Sequence, residues 1–450
     1  MIRYRARWVV PITSEPVRDG VVAVDGDRIV FVGPHEEAPP GDDHDLGDAL
    51  LLPGLVNAHT HLELTAMRGF LEDLDFRRWI LRLTAARRDV LDADALLDSA
   101  RYGIEEGLRA GVTTYADTSD SGVVVRAMRE AGVRGIVYQE VFGPDPAQCD
   151  ASITALRQKV AGLRYLETPL VRVGVSPHAP YTVSDPLFRA TTEFARQHGL
   201  RMAIHAAESD EEQRLVADGA GPFADGLRGR GIHVGIRGRS PIDLLDRLGV
   251  LDVQPLLIHC VRADDGDIAA IVRTGCAVAH CPISNAKLGH GTAPLIELLA
   301  AGVTVGLGSD SVASNNRMDL LEEARVALLA QRAVAQLCDA PQAADLIELA
   351  TIAGARALGI DAQVGSLEEG KQADLAAFAI EPAVPIQDPV AALVFSISGA
   401  RARFVSVAGR VLVRDGELLS ARPGLAERMQ MLADALAAWL DSGGEMRGAV

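Results

Sequence analysis

The chain has 450 residues, 48% hydrophobic and 23% charged, which suits a large buried core and excludes a disordered or fibrous chain. A formal charge of −17 argues against nucleic-acid or anionic-membrane binding as the main activity. No run of about 18 apolar residues predicts a membrane span, and five cysteines without CxxC spacing fit a reduced, cytoplasmic protein better than a disulfide framework.

Met1 to Thr13 lacks a long apolar stretch and a small-residue cleavage site, and reads as a strand rather than an export signal. Residues 20–33 (GVVAVDGDRIVFVG) are two β-branched runs joined by Asp25-Gly26, a hairpin signal. From about Leu52 to Ala357 short apolar runs alternate with amphipathic stretches. The predicted strands are Val112–Asp117, Gly135–Val141, Val171–Ser176, Arg201–Ala206, Pro255–Cys260, Cys276–Cys281 and Val303–Ser309. Predicted helices such as Asp94–Ala110, Pro186–His198, Asp264–Thr274 and Thr292–Ala301 separate many of them. Such alternation implies a parallel sheet, and about eight repeats imply a closed (β/α)8 TIM barrel. An open doubly wound sheet is the alternative, but no GxGxxG follows an early strand. Residues 365–378 and 403–419 return to short runs with Gly and Asp-Gly turns. The expected organisation is therefore a small β-sandwich from both chain ends (1–51 and 360–423), a barrel over 52–359, and a C-terminal helix over 424–450 packed on the outside.

Several of the eleven histidines fall where predicted strands end, the rim at which barrels collect catalytic groups. In PGLVNAHTHLE, His59 and His61 are spaced i, i+2, so a strand projects both to one side. His205 in MAIHAAES is followed three residues on by Glu208, His259 ends PLLIHC, and Asp310 directly follows the run VTVGLGS. Singly, each is as well explained by an ordinary core or surface residue. Together, at strand ends in chain order, they define a metal site, and a buried Asp310 needs a cation to offset its desolvation.

These stretches, with SPHAPYTVS from Ser176 and HCPISNAKLGHG from His280, resemble the amidohydrolase superfamily over almost the whole chain. They are most similar to the branch of adenosine-type, S-adenosylhomocysteine and guanine deaminases and triazine hydrolases. The resemblance implies that His59, His61, His205 and Asp310 ligate one divalent ion, most simply zinc, with iron or manganese tolerated. It further implies that Glu208 shuttles a proton, His259 hydrogen-bonds the attacking water, Asp310 assists, and His178 touches the substrate. Two-metal relatives carry a carboxylated lysine on the fourth strand. The three lysines here, Lys159, Lys287 and Lys371, all lie outside Val171–Ser176, which favours a single metal. Deaminases of a different fold carry HxE and PCxxC, and this chain has no CxxC.

The implied reaction is hydrolytic deamination of an adenine-type nucleoside. HTHLEL, SPHAPYTVS, EEQRLVADGAGPF and the pair LGHG and SDSVASN most resemble aminodeoxyfutalosine deaminases, which act in an alternative menaquinone pathway on an adenine nucleoside bearing a carboxyphenyl group. S-adenosylhomocysteine or methylthioadenosine is the rival substrate, then guanine-type bases. Hydrolysis of another bond, as in triazine hydrolases, and a dead scaffold are the other classes. A dead relative would lose ligands, and all four are present. Expected substrate contacts are His178, Glu63, Trp79, Ser314, Asn315 and His290. Glu63 either binds sugar hydroxyls or a ring amine, or pairs with an arginine. Trp79 either stacks on a base or fills the core. Arg68, Arg82 and Arg87 are either carboxylate anchors or solvated. His280 and Asn285 either shape the pocket floor or stabilise a turn. The expected partner is a small molecule, with no nucleic acid and no membrane, and a homodimer is common among similar barrels.

Overall fold

In the computed structural model, which describes residues 1–444, eight parallel strands run through the middle of the chain. Leu55–Thr60, Val112–Ser119, Arg134–Val141 and Val171–Pro177 pair in that order, as do Ala203–Ala206, Leu256–His259, Ala277–His280 and Val305–Leu307. A parallel bridge between Val175 and Met202 joins the two runs, and another between Thr60 and Asp310 brings the eighth strand back to the first. The sheet closes, so the fold is the (β/α)8 barrel and not the open doubly wound sheet. Val112–Ser119 and Arg134–Val141 are buried at every position, as a parallel sheet covered by helices requires.

The last strand is shorter than its apolar run, because the chain leaves the sheet at Gly308. A Cβ there would meet the His59 Cβ at 2.8 Å, so only glycine lets the eighth strand lie this close to the first histidine. Helix Phe76–Val90, capped by the Asp75 side chain on the Arg78 N–H, follows the first strand and walls the barrel mouth. Between the fifth and sixth strands the crossover holds three short helices, Asp210–Asp218, Pro222–Gly229 and Pro241–Arg247.

The two chain ends meet where Ala49–Pro53 pairs antiparallel with Leu375–Ala379. They form one continuous hydrogen-bonded sheet of nine strands. Strands Ile2–Val9 and Ala402–Val407 are separated by two others along that path, roughly 14 Å across a flat sheet. Yet the rings of Tyr4 and Phe404 lie 4.8 Å apart. The sheet therefore folds over on itself around Tyr4, Val22, Leu51, Leu375 and Phe404. Arg134, at the start of the third barrel strand, bonds both oxygens of Asp374 at 2.9 and 3.0 Å, tying the sheet to the barrel through a buried ion pair.

Helix Leu425–Asp441 packs outside the barrel. Leu425, Met429, Leu432 and Leu436 form one helical stripe against Leu64, Met67, Leu71 and Leu96, behind the segment that follows the first strand. Residues 445–450 of the expected tail lie outside the described residues. No helix among the described residues is long and apolar enough to cross a membrane.

Candidate metal centre and active site

The four expected ligands converge at the carboxyl ends of the barrel strands. His59 Nε2 lies 3.2 Å and His61 Nε2 3.5 Å from Asp310 Oδ1, and His205 Nε2 lies 3.3 Å from His61 Nε2. The backbone turns abruptly to bring them there. Ala207, His259 and Asp310 have φ of 53°, 75° and 57°, a left-handed conformation that costs a non-glycine residue energy and clusters at functional sites. The Asp310 N–H, donating to the His59 carbonyl at 2.9 Å, fixes the carboxylate beside the first histidine.

Burial holds the rings neutral: it pushes His59 down, His61 to about 3, and His205 well below the usual range. The His205 Nδ1–H donates to the His178 carbonyl at 3.1 Å, which leaves Nε2 as a lone pair aimed into the cluster. Burial pushes Asp310 up, but the influences facing it, headed by the hydrogen bond from His59, keep the carboxyl well below its usual range. Ser284 Oγ at 2.6 Å and Ser314 Oγ at 3.0 Å donate to its other oxygen, Oδ2. Three neutral imidazoles and one ionised, almost fully buried carboxylate form a donor set that fits a borderline divalent cation such as zinc.

Beside the cluster opens a cavity of about 450 Å³, within the range of roughly 300–1,000 Å³ usual for small-molecule sites. His61, His178, His205, Glu208, His259 and Asp310 form its floor, and Phe76, Trp79, Ile80, Leu83, Phe142 and Tyr181 much of its wall. Glu208 is 4% exposed. Burial pushes its carboxyl up, but His259 and His290 outweigh that and hold it below the usual range. The His259 Nδ1–H donates to Asn285 Oδ1 at 2.9 Å, which turns its Nε2 to the site, 3.6 Å from Glu208.

The other expected contacts divide. His178 lines the cavity with Nδ1 2.8 Å from Thr182 Oγ1. Glu63 lines it too, but its carboxylate is paired with Arg87 at 2.8 Å and with Ser121, so the arginine pairing is the one present. Arg87 also binds Asp120, whereas Arg68 binds Glu106; neither Arg68 nor Arg82 lines the cavity. Trp79 is half-buried in the wall, 6.3 Å from the Phe76 ring.

Ser314 and Asn315 correct the sequence reading. Both lie behind Asp310 and do not line the cavity. Ser314 bonds Asp310, and Asn315 Nδ2 donates to the Ser309 carbonyl at 2.7 Å and to Glu323. His290 sits behind Glu208, against the Phe76 ring at 4.5 Å. His280 is buried away from the cavity, and Asn285 orients His259. Sequence reasoning missed Tyr181, Ser284 and Asp117. The first two lay unmarked inside quoted motifs, and Asp117, which accepts from Thr60 and the Leu62 N–H, had no motif at all.

A closed barrel whose rim gathers two histidines at the end of the first strand, a third from the fifth strand and an aspartate after the eighth is that of an amidohydrolase. The amidohydrolase family model matches residues 50–412, and the chain belongs to that family. The 5-methylthioadenosine/S-adenosylhomocysteine deaminase of Moorella thermoacetica is 34% identical over 421 residues, 91% of this chain and 93% of its own. The 5'-deoxyadenosine deaminase of Methanothermobacter thermautotrophicus is 34% identical over 409 residues, 89% of this chain and 91% of its own. Among solved structures, an adenosine deaminase from Xanthomonas campestris with bound zinc is similar with a TM-score of 0.87 and 29% identity, over 97% of this chain and 98% of that one.

Proposed function

We propose that this amidohydrolase is a zinc-dependent deaminase of 5'-substituted adenine nucleosides, exchanging the 6-amino group for oxygen and releasing ammonia. The observation that carries the reading is Glu208: an ionised carboxylate, buried at the cavity floor beside three neutral histidines and Asp310. His59, His61, His205 and Asp310 would hold the cation, which when bound would supply Lewis-acid activation of the attacking water. Glu208 takes a proton from that water and delivers it to the ring nitrogen beside the reacting carbon, relieving the charge that builds up in the ring. His259 Nε2, turned to the site by Asn285, and Asp310 take the second proton and pass it to the departing amine. The apolar wall from Phe76 to Leu83 keeps bulk water from the reacting ring.

Within this class we place aminodeoxyfutalosine first. The motif resemblance supports it, and so does the outer wall, where Phe76, Trp79 and Phe142 suit an aryl group and Arg230 lines the same cavity. The names of the relatives support 5-methylthioadenosine, S-adenosylhomocysteine and 5'-deoxyadenosine as rivals. Purified enzyme is assayed on these four and adenosine by loss of the adenine absorbance, with and without chelator. The reading expects chelator-sensitive turnover, with aminodeoxyfutalosine at least tenfold ahead in kcat/KM. A higher value for a rival overturns the ranking, and no turnover of any nucleoside overturns the class.

A further inference from the structure

We infer that Tyr181 and His290 are positioning residues for the Glu208 carboxylate, an inference that rests on the proton-shuttle reading of Glu208. Groups from three separate segments converge on this one side chain. Tyr181, from the loop after the fourth strand, donates its hydroxyl to Oε2 across 3.4 Å. His290, from the loop after helix Pro282–Lys287, holds Nε2 3.5 Å from Oε1, and His259 Nε2 is 3.6 Å from that same oxygen. The three are not equivalent. His259 is already oriented by its Nδ1–H, which donates to Asn285 Oδ1 at 2.9 Å. Tyr181 and His290 are not so engaged, and each approaches a different carboxylate oxygen.

Their surroundings leave them little else to do. His290 is 4% exposed, and its Nε2, 3.5 Å from Glu208 Oε1, makes no hydrogen bond, an expensive state for a buried ring nitrogen unless the contact tightens in use. Its ring is wedged edge-on against Phe76 at 4.5 Å. Tyr181 stacks on Phe223 with centroids 4.4 Å apart and planes 5° apart. Burial and the facing Glu208 push its phenol well up, so it remains a donor. On the backbone side, the Glu208 N–H donates to Glu212 Oε2 at 2.7 Å, pinning the left-handed turn at Ala207. The glutamate is thus fixed at its base, bonded at Oε2 by Tyr181 and approached at Oε1 by His290. Such fixed orientation accelerates a proton transfer without touching the substrate.

The test uses Tyr181→Phe, which keeps the stacked ring, His290→Leu, which removes the donor, and His290→Gln, which keeps one. In crystals of the zinc-loaded proteins, Glu208 is expected in one conformer in the wild type and in several in the Tyr181→Phe/His290→Leu variant, with metal content unchanged. With the best nucleoside, each of Tyr181→Phe and His290→Leu lowers kcat roughly tenfold with KM within twofold, and His290→Gln recovers most of the loss. A single Glu208 conformer in the double variant, an unchanged kcat, a rise in KM alone, or no advantage of glutamine over leucine overturns the inference. If the double variant does not fold, Tyr181→Phe alone is read in the same way. If the wild type turns over no nucleoside, the proposed function falls, and the crystallographic comparison alone decides this point.

Discussion

Replacing Glu208 by Gln separates proton transfer from metal binding. The side chain keeps its volume in a site that is 4% exposed, so no cavity opens. None of the cation's four candidate ligands is altered, and the nearest ring nitrogens to Glu208 are those of His259 and His290, at 3.6 and 3.5 Å. Contacts this long contribute little to folding, and a stability change under about 1 kcal/mol is expected. The loss appears in the chemical step. A general acid–base group contributes about 10²–10⁴-fold, or roughly 3–5 kcal/mol of transition-state stabilisation. The assay measures kcat on the best nucleoside beside zinc per chain by mass spectrometry. The expected result is one zinc per chain with kcat reduced at least a hundredfold. Lost zinc would make Glu208 a ligand, and a kcat within tenfold of wild type would take the proton shuttle away from it; either refutes the assignment.

Asp310→Asn removes the one ionised carboxylate of the cluster and is expected to leave the purified protein without stoichiometric zinc; full occupancy after dialysis would contradict the ligand set. Arg134→Ala leaves Asp374 buried without its partner, an omission that costs roughly 3–5 kcal/mol, and urea unfolding should show the loss. Burial pushes Asp117 and Glu212 up to about 8, from ordinary values of 3.8 and 4.5. Because the folded state holds these protons more tightly, the stability they contribute is complete below about pH 4 and is lost as pH rises through 8. Melting temperature should therefore fall from pH 6 to pH 8. Glu212→Gln should flatten that fall by up to one proton, about 1.4 kcal/mol per pH unit, and an unchanged slope would contradict the assigned shift.

How much of this was legible in the sequence depended on whether a residue's direction follows from its element. His59 and His61 were readable as a pair because a strand alternates sides, and His205 and Asp310 because a barrel strand delivers its last residues to the rim. Ser314 and Asn315 were misread because they follow Asp310 on the short helix Val312–Asn315, where adjacency does not say which face meets the mouth; both turn back. Glu63 follows the HxH pair, but its arginine is 24 residues away on the wall helix, a distance no local pattern spans. Tyr181 sits in an irregular loop with no period to announce it, and it reaches Glu208 only because the fourth and fifth strands are neighbours.

The electrostatics explain why the rim tolerates so many carboxylates. Asp117, Glu140, Glu212 and Glu323 are all buried around the mouth, and in each, desolvation is the largest influence and pushes the carboxyl up. Glu208 and Asp310 are just as buried, yet both are held low: Glu208 faces His259 and His290, which outweigh burial and the neighbouring Asp310, and Asp310 is hydrogen-bonded to His59. The sequence places those histidines at the ends of strands one and six and in the loop around His290, so barrel closure brings them to these two carboxylates. Environments that drive like groups apart in this way are how one site assigns separate roles to chemically identical side chains. Negative charge at the floor is thereby concentrated on Asp310 and Glu208, while desolvation favours the protonated form of the surrounding acids, which serve as hydrogen-bonding scaffold.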